Sequence, residues 1–282
     1  MKKVIKQLLK AICYTLLFVG TQFIMTFTFM FVFMIKQGIE SQVSDKGINS
    51  DLLIEEGTNF ILYNNNAIIL ISGIITLLFL WLFFKIRKKR LITEAYIIKI
   101  DSSKVILVVL SGLLFALFVS TAISLLPIPE SLLESYLQSA EGIVSGSLII
   151  ILISIVIIAP IVEEIIFRGL ILSRLNKVMN TTVALIISSL IFAILHGHIL
   201  WVTYAFVLGV LFGIIAIKTG STLPTIIFHM SFNLAGLFVG SIPFPEWSTG
   251  IVCVVSFIIS AILIYNVVKK TSKKEVVTAG TS

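Results

Sequence analysis

The stretch Ile161-Val-Glu-Glu-Ile-Ile-Phe-Arg-Gly-Leu170 brings two adjacent carboxylates and an arginine directly after an almost wholly apolar run, Leu148 to Pro160. Ionisable side chains at membrane depth are rare and usually face a bundle interior or a water-filled cavity. On a helix, Glu164 and Arg168 lie four residues apart and can form an ion pair. Glu163 lies about 100° round the helix and lacks that partner. The pattern indicates a functional site inside a membrane protein; the alternative is two solvated glutamates at a helix end beside a basic anchor.

Composition supports a membrane protein. The chain has 282 residues, of which 58% are hydrophobic and 12% are charged, and its mean hydropathy is +1.11. Cys13 and Cys253 both lie in long apolar runs, so neither a disulfide nor a metal motif is indicated. The net charge of +7 could suggest nucleic acid, but the basic residues flank apolar runs. They indicate membrane orientation, and no nucleic-acid partner is expected.

The apolar runs predict an all-α, polytopic helical bundle with about eight transmembrane helices in the lipid bilayer. The predicted spans are 11–35, 67–84, 105–126, 146–167, 183–200, 201–217, 222–239 and 250–268. Loops are predicted at 36–66 and 127–145. The fourth helix is expected to continue through Gly169 toward Leu175, which would bring Glu163 deeper into the membrane. The fifth helix is expected to be tilted or shifted.

Charge distribution predicts the orientation. All 21 Lys and Arg residues except Lys36 and Lys46 fall on the side of the N-terminus when the loops are assigned to alternate sides. The positive-inside rule therefore predicts a multi-pass protein of the cell membrane with both termini cytoplasmic. Three regions are predicted: N-terminal spans in 1–145, which we associate with the substrate, a catalytic core in 146–240, and a last span with a basic tail in 241–282.

Two more polar clusters lie in later spans. Phe192 and His196 are four residues apart in the fifth span, and His229 and Asn233 are four residues apart in the seventh. His198 faces away from His196 and is interpreted as a packing or interfacial residue. Three separate helices thus offer carboxylates, an imidazole, and an imidazole with an amide. These are the parts of a hydrolytic site: a general base, a proton shuttle and oxyanion donors.

The three ordered motifs resemble those of a known family. Glu-Glu-x-x-x-Arg, Phe-x-x-x-His and His-x-x-x-Asn follow one another as in the CPBP (CAAX protease and bacteriocin-processing, or Abi) family of intramembrane endopeptidases, related to the type II CAAX prenyl protease. The resemblance covers about 146–240. It implies a membrane-associated peptide or protein substrate: a CAAX terminus in eukaryotic relatives, and a bacteriocin leader, a pheromone precursor or a membrane regulator in bacterial ones.

The resemblance also implies roles for the motif residues. Glu163 would activate the attacking water, with His196 beside it. His229 and Asn233 would polarise the scissile carbonyl and stabilise its oxyanion. The supporting residues, which would hold the helix geometry, are Glu164, Arg168 and Phe192.

A metal-dependent version of this site stays open. Glu163, His196 and His229 could ligate zinc with a position left for water. Against this, the chain has no His-Glu-x-x-His pair, and the three ligands would come from three helices. A metal-free glutamate mechanism without a cofactor is therefore the favoured expectation.

Two other functional classes are also compatible with the pattern. A non-catalytic immunity or scaffold protein of the same fold would tolerate the loss of a motif residue, and none is lost here. A transporter would place charges inside a bundle too, but would more often show repeats or paired broken helices. An active enzyme is thus the preferred interpretation.

Overall fold

A computed structural model of the chain describes residues 2–44, 50–240, 242 and 244–269. Over these residues the protein has helices and no strand, which confirms the predicted all-α class. The ten helices are α1 (Lys2–Ser44), α2 (Ser50–Ile86), α3 (Leu91–Glu94), α4 (Ser102–Leu125), α5 (Glu130–Val144), α6 (Leu148–Leu175), α7 (Thr181–Ile194), α8 (Ile199–Thr219), α9 (Leu223–Val239) and α10 (Glu246–Lys269).

Eight of these helices correspond to the eight predicted apolar spans. By length and composition, α1, α2, α4, α6, α8 and α10 could each cross a membrane. The apolar helices α7 and α9 are shorter. The polytopic helical bundle is therefore confirmed, although two of its apolar helices are shorter than a usual span. The expected continuation of the fourth helix is also confirmed, because α6 ends at Leu175.

Three predicted boundaries are wrong. The loop predicted at 36–66 is largely helical, since α1 and α2 extend beyond their apolar cores and pack through Phe33 and Phe60, whose ring centroids are 5.2 Å apart. The loop predicted at 127–145 contains α5, a short amphipathic helix. The fifth span ends before the predicted Leu200, because Gly197 has a φ of +76° and His198 caps the next helix. Residues 45–49, with Lys46, and the tail from 270 onward lie outside the described residues.

Successive apolar helices run in alternate directions. The hydroxyls of Thr21 and Thr76, 2.7 Å apart, join α1 to the antiparallel α2. Where α4 crosses α9, a Cβ on Gly112 would lie 2.5 Å from the carbonyl oxygen of Phe228, so this close approach requires glycine. We call the bundle end that carries the start of α1 and the end of α2 the basic end. The opposite end, which carries α5, is the acidic end.

Helix α6 lies at the centre of the bundle and contacts α1, α2, α7 and α9. In the half of α6 nearer the basic end, Ile166, Leu170 and Ile171 have no exposed surface. Phe167 packs edge-to-face against Phe18 of α1, with ring centroids 5.7 Å apart, and against Phe192 of α7, at 5.3 Å. This packing holds the helix that carries both glutamates between its neighbours.

Candidate active site

Helix α6 departs from α-helical geometry on both sides of the glutamates. The π-helical stretches Leu152–Ile158 and Ile165–Leu172 flank a short α-helical segment, Ala159–Glu164. Single π-helical turns occur frequently at functional sites. Within the first stretch the N–H of Ala159 bonds to the carbonyl of Ser154, five residues back. In that register the next carbonyl, Ile155, would need a donor from residue 160.

Residue 160 is proline and has no N–H to donate. The side-chain amide of Asn233 donates instead, with Nδ2 2.9 Å from the oxygen of Ile155. A free backbone carbonyl at membrane depth is costly, and a neighbouring helix is one of the usual sources of a replacement partner. Asn233 therefore joins α9 to the point where α6 lacks its own hydrogen bond, while its side chain also lines the cavity described below.

Glu164 and Arg168 form the ion pair that their spacing predicted. Nη1 of Arg168 lies 2.8 Å from Oε1 of Glu164, and both side chains are almost completely buried. The guanidinium also lies over two aromatic rings, 4.1 Å from the centroid of Phe192 and 5.1 Å from that of Phe212. A buried carboxylate and a buried guanidinium require each other, so Glu164 is occupied by a structural partner.

His229 of α9 lies between the two glutamates. Its Nδ1 is 3.1 Å from Oε1 of Glu164, and its Nε2 is 3.8 Å from Oε2 of Glu163. The second distance is too long for a direct hydrogen bond, but one water molecule could contact both atoms. The imidazole thus connects the buried ion pair to the more accessible carboxylate.

Glu163 lines a cavity of about 950 Å³ inside the bundle, and its side chain is 16% exposed, in contrast to the fully buried Glu164. His196, His229 and Asn233 line the same cavity. Side chains from α6, from the end of α7 and from α9 therefore meet at one space.

His196 lies just beyond the end of α7. Its Nδ1 is 2.9 Å from the carbonyl oxygen of Phe192. A carbonyl only accepts, so Nδ1 carries the hydrogen, and in a neutral imidazole Nε2 remains as an acceptor. The ring centroid of Phe192 is 4.7 Å from that of His196 and 6.1 Å from that of His229. Phe192 therefore packs against both imidazoles as well as against Arg168.

His198 does not belong to this group. Its Nδ1 accepts from the N–H of Leu200 at the start of α8, and its Nε2 is 3.0 Å from Oγ of Ser135 on α5. Burial raises the pKa of Tyr136, whose ring packs against that of Trp201. These contacts attach α5 to the start of α8.

Glu163, His196 and His229 are the alternative zinc ligands that the sequence offers. Among the residues that the structure describes, no group of three or more His, Cys, Asp or Glu side chains has a spacing that could hold a metal ion. Glu163, His196 and His229 therefore do not have metal-ligand spacing in this structure.

Some groups of the site were not identified from the sequence. The role of the Ile155 carbonyl cannot be recognised from a side-chain pattern. Pro160 in an apolar run was the available signal, because a proline leaves a backbone carbonyl in need of another donor. Phe212 of α8, whose ring centroid is 5.1 Å from that of His229, looked like any other apolar residue of its span. Oγ of Ser188 donates to the carbonyl of Phe167 at 3.0 Å and fixes α7 against α6.

Away from the apolar spans, the basic end has its own charged cluster. Glu94 of α3 accepts from Lys89 and from Arg174, at the end of α6. Burial alone would raise the pKa of Glu94, but the hydrogen bonds and charges of these two partners outweigh it and lower the pKa below its ordinary value. The cluster attaches the end of α6 to the turn before α4.

The bundle and its interior ionisable groups define a multi-pass membrane protein. Within it, residues 145–235 match the family model described as type II CAAX prenyl endopeptidase Rce1-like. This stretch contains all residues of the three motifs, so the resemblance that the motifs indicated is confirmed over this part of the chain. No curated protein and no solved structure matches the chain.

Proposed function

We propose that the protein is an intramembrane endopeptidase in which Glu163 activates water to hydrolyse a peptide bond of a membrane-associated peptide or protein. The family match over residues 145–235 supports a CAAX-type membrane protease in general. The observation that carries the proposal is the different state of the two glutamates. Glu164 is fully buried and paired with Arg168, whereas Glu163 faces the cavity with one imidazole nitrogen nearby.

The proposed reaction begins with a water molecule between Glu163 and the substrate carbonyl. Glu163 takes a proton from the water as its oxygen attacks the carbonyl carbon, and the carbonyl electron pair moves onto oxygen. The C–N bond then breaks, and the proton held by Glu163 passes to the leaving amine. The products are a carboxylic acid and an amine, and Glu163 is again ionised. His196, with Nε2 as an acceptor, would orient the water.

Stabilisation of the oxyanion is assigned to His229 and Asn233. For His229 this requires a proton on Nε2. Its Nε2 is the ring nitrogen on the side of Glu163, while its Nδ1 lies beside Glu164. Asn233 uses one amide hydrogen for Ile155 and has a second available. Donors that are fixed before reaction are the usual source of oxyanion stabilisation.

We further propose that the basic end faces the cytoplasm and that the protein resides in the cell membrane. The charge asymmetry that supported this orientation in the sequence corresponds to opposite ends of one bundle. Exposed aromatic residues near the helix ends, such as Trp81 on α2 and Trp247 on α10, agree with membrane–water boundaries at those depths.

The experiment that tests the peptidase proposal uses the purified full chain in detergent, incubated with membrane extracts and peptide libraries in H₂¹⁸O. Mass spectrometry should find new C-termini carrying ¹⁸O, and an identically prepared Glu163→Gln protein should lack them. Cleavage that survives exhaustive chelation supports the glutamate mechanism. Loss of cleavage on chelation with recovery on added Zn²⁺ would establish the metal-dependent version. No cleavage of any substrate would favour a scaffold or a transporter.

A further inference from the structure

We propose that the substrate reaches this site from the acidic end of the bundle, as a cationic peptide whose scissile segment is apolar and uncharged. The inference rests on the proposed function and names the side of entry and the substrate class. With the basic end in the cytoplasm, the substrate is an exported peptide or the outer part of a membrane protein. The proposal rests on the direction in which the cavity extends, on the packing between it and the basic end, and on the charges around its mouth.

Most of the residues that line the cavity lie between the level of Glu163 and the acidic end. Its walls include the middle of α2, the acidic-end halves of α4 and α9, the start of α8, and the apolar face of α5. Several of the residues that line it are exposed at the surface, including Leu126 at 58%, Leu137 at 52% and Val144 at 54%. These residues follow α4 or belong to α5, so they mark the mouth of the cavity at that end.

Toward the basic end, packed side chains separate this cavity from a smaller one of about 270 Å³, which Arg168 and Leu172 line and Glu163 does not. Leu170 and Leu172 of α6, Phe212 of α8 and Phe228 of α9 have at most 3% of their surface exposed. Arg168 lies beside these residues in its ion pair with Glu164. A peptide entering from the basic end would have to separate α6, α8 and α9, which would break this core and expose the buried pair.

The lining of the cavity selects an uncharged segment. Among the described residues no Lys, Arg or Asp lines it, and its titratable side chains are Glu163, His196, His229 and two tyrosines. The remaining polar groups are hydroxyls and amides such as Thr21, Gln22 and Ser72. A charged side chain drawn in from water would lose its hydration without gaining an ionic partner, except at the catalytic groups. Apolar and small polar side chains carry no such cost.

The surface at the mouth is acidic. Glu130, Glu134 and Glu141 lie on the exposed face of α5, whose other face lines the cavity. The sequence contains no Lys or Arg between Lys104 and Arg168, so no basic side chain of α4 or α5 offsets them beyond that first turn. Carboxylates of one sign beside a cleft attract a peptide of opposite charge and raise its rate of association. Basic residues on either side of an apolar cleavage segment would match this surface.

The side of entry is tested by thiol labelling, which does not depend on catalysis. Cys13 and Cys253 are replaced by alanine, and Ser124→Cys reports the mouth while Arg90→Cys reports the basic end. A membrane-impermeant maleimide is applied to oriented membrane vesicles of both kinds. We expect the two cysteines to react from opposite sides, with Ser124→Cys accessible from the side away from the N-terminus. Reaction of both from one side would overturn the proposed entry.

The substrate class is tested with synthetic peptides that share one apolar core flanked by lysines or by glutamates. Wild-type enzyme in detergent at low ionic strength should cleave the lysine peptide with a kcat/KM about tenfold higher, and added salt should reduce the difference. Glu134→Lys together with Glu141→Lys should remove the preference. The matched control Glu55→Lys, on the exposed part of α2 away from the cavity lining, should keep it.

These outcomes separate the two proposals. Equal cleavage of both peptides, or preference for the glutamate peptide, would overturn the substrate class while leaving the peptidase intact. If neither peptide nor any extract protein is cleaved, the peptidase function fails, and the labelling result still decides which side of the membrane the mouth faces.

Discussion

The side-chain amide of Asn233 hydrogen-bonds to the carbonyl oxygen of Ile155 at 2.9 Å, across the interface between α9 and α6. This bond exists because Pro160 has no N–H to serve that carbonyl. The same amide lines the cavity, so one side chain completes the backbone of α6 and faces the site. The shape of the helix that carries Glu163 therefore depends on a residue of another helix.

Replacing Asn233 with alanine leaves the Ile155 carbonyl without a partner, and we expect a loss of about 1–3 kcal/mol in the free energy of unfolding. Pro160→Ala supplies an N–H at the position where the π-helical register needs one. The double variant should therefore recover stability that Asn233→Ala lost. Denaturant unfolding in detergent of both single variants and the double variant measures this coupling; strictly additive losses would contradict the assigned role of Pro160.

Arg168→Ala removes the partner of a fully buried carboxylate. Breaking such a pair typically costs about 3–5 kcal/mol, so the variant should unfold at a clearly lower temperature or fail to accumulate. Arg168→Lys, which keeps a charge, should lose less. The control Lys218→Ala changes an exposed residue of α8 and should unfold like the wild type. Thermal unfolding in detergent measures the midpoint of each variant. An unchanged midpoint for Arg168→Ala would mean that the ion pair is not needed for stability.

Acid should weaken the attachment of α6 at the basic end through Glu94. Its pKa is lowered in the folded protein, so its contribution to stability is present above the ordinary value of 4.5 and is lost as the pH falls below it. We expect the unfolding temperature of the wild type to drop in that range more steeply than that of Glu94→Gln. The exposed Glu55→Gln should retain the wild-type slope. Parallel slopes for wild type and Glu94→Gln would contradict this role.

The sequence predicted those parts of the fold and site that depend on local patterns. Apolar runs gave the helix class and the number of apolar spans, and the spacing of Glu164 and Arg168 predicted their ion pair. The depth of Glu163 followed from the expected continuation of α6 to Leu175. Each of these depends on neighbours along one helix, which periodicity reports directly.

Features that depend on other helices could not be predicted in this way. The carbonyl of Ile155 needs Asn233 only because α6 adopts a π-helical register, and that register is set by packing. His229 lies between the two glutamates because of the relative depth of α6 and α9 in the bundle. Residue spacing within one helix carries no information on that depth. Helix α5 was missed because its polar face resembled a loop, while its apolar face lines a cavity that the sequence does not display.

The central claim is that Glu163 is the general base for water, and the most direct measurement is the rate of cleavage of one identified substrate by Glu163→Gln compared with wild type. The substitution keeps shape and removes the base, so we predict an unchanged unfolding temperature, retained substrate binding and a rate reduced by about two to four powers of ten. A folded Glu163→Gln protein that cleaves at the wild-type rate would contradict the account.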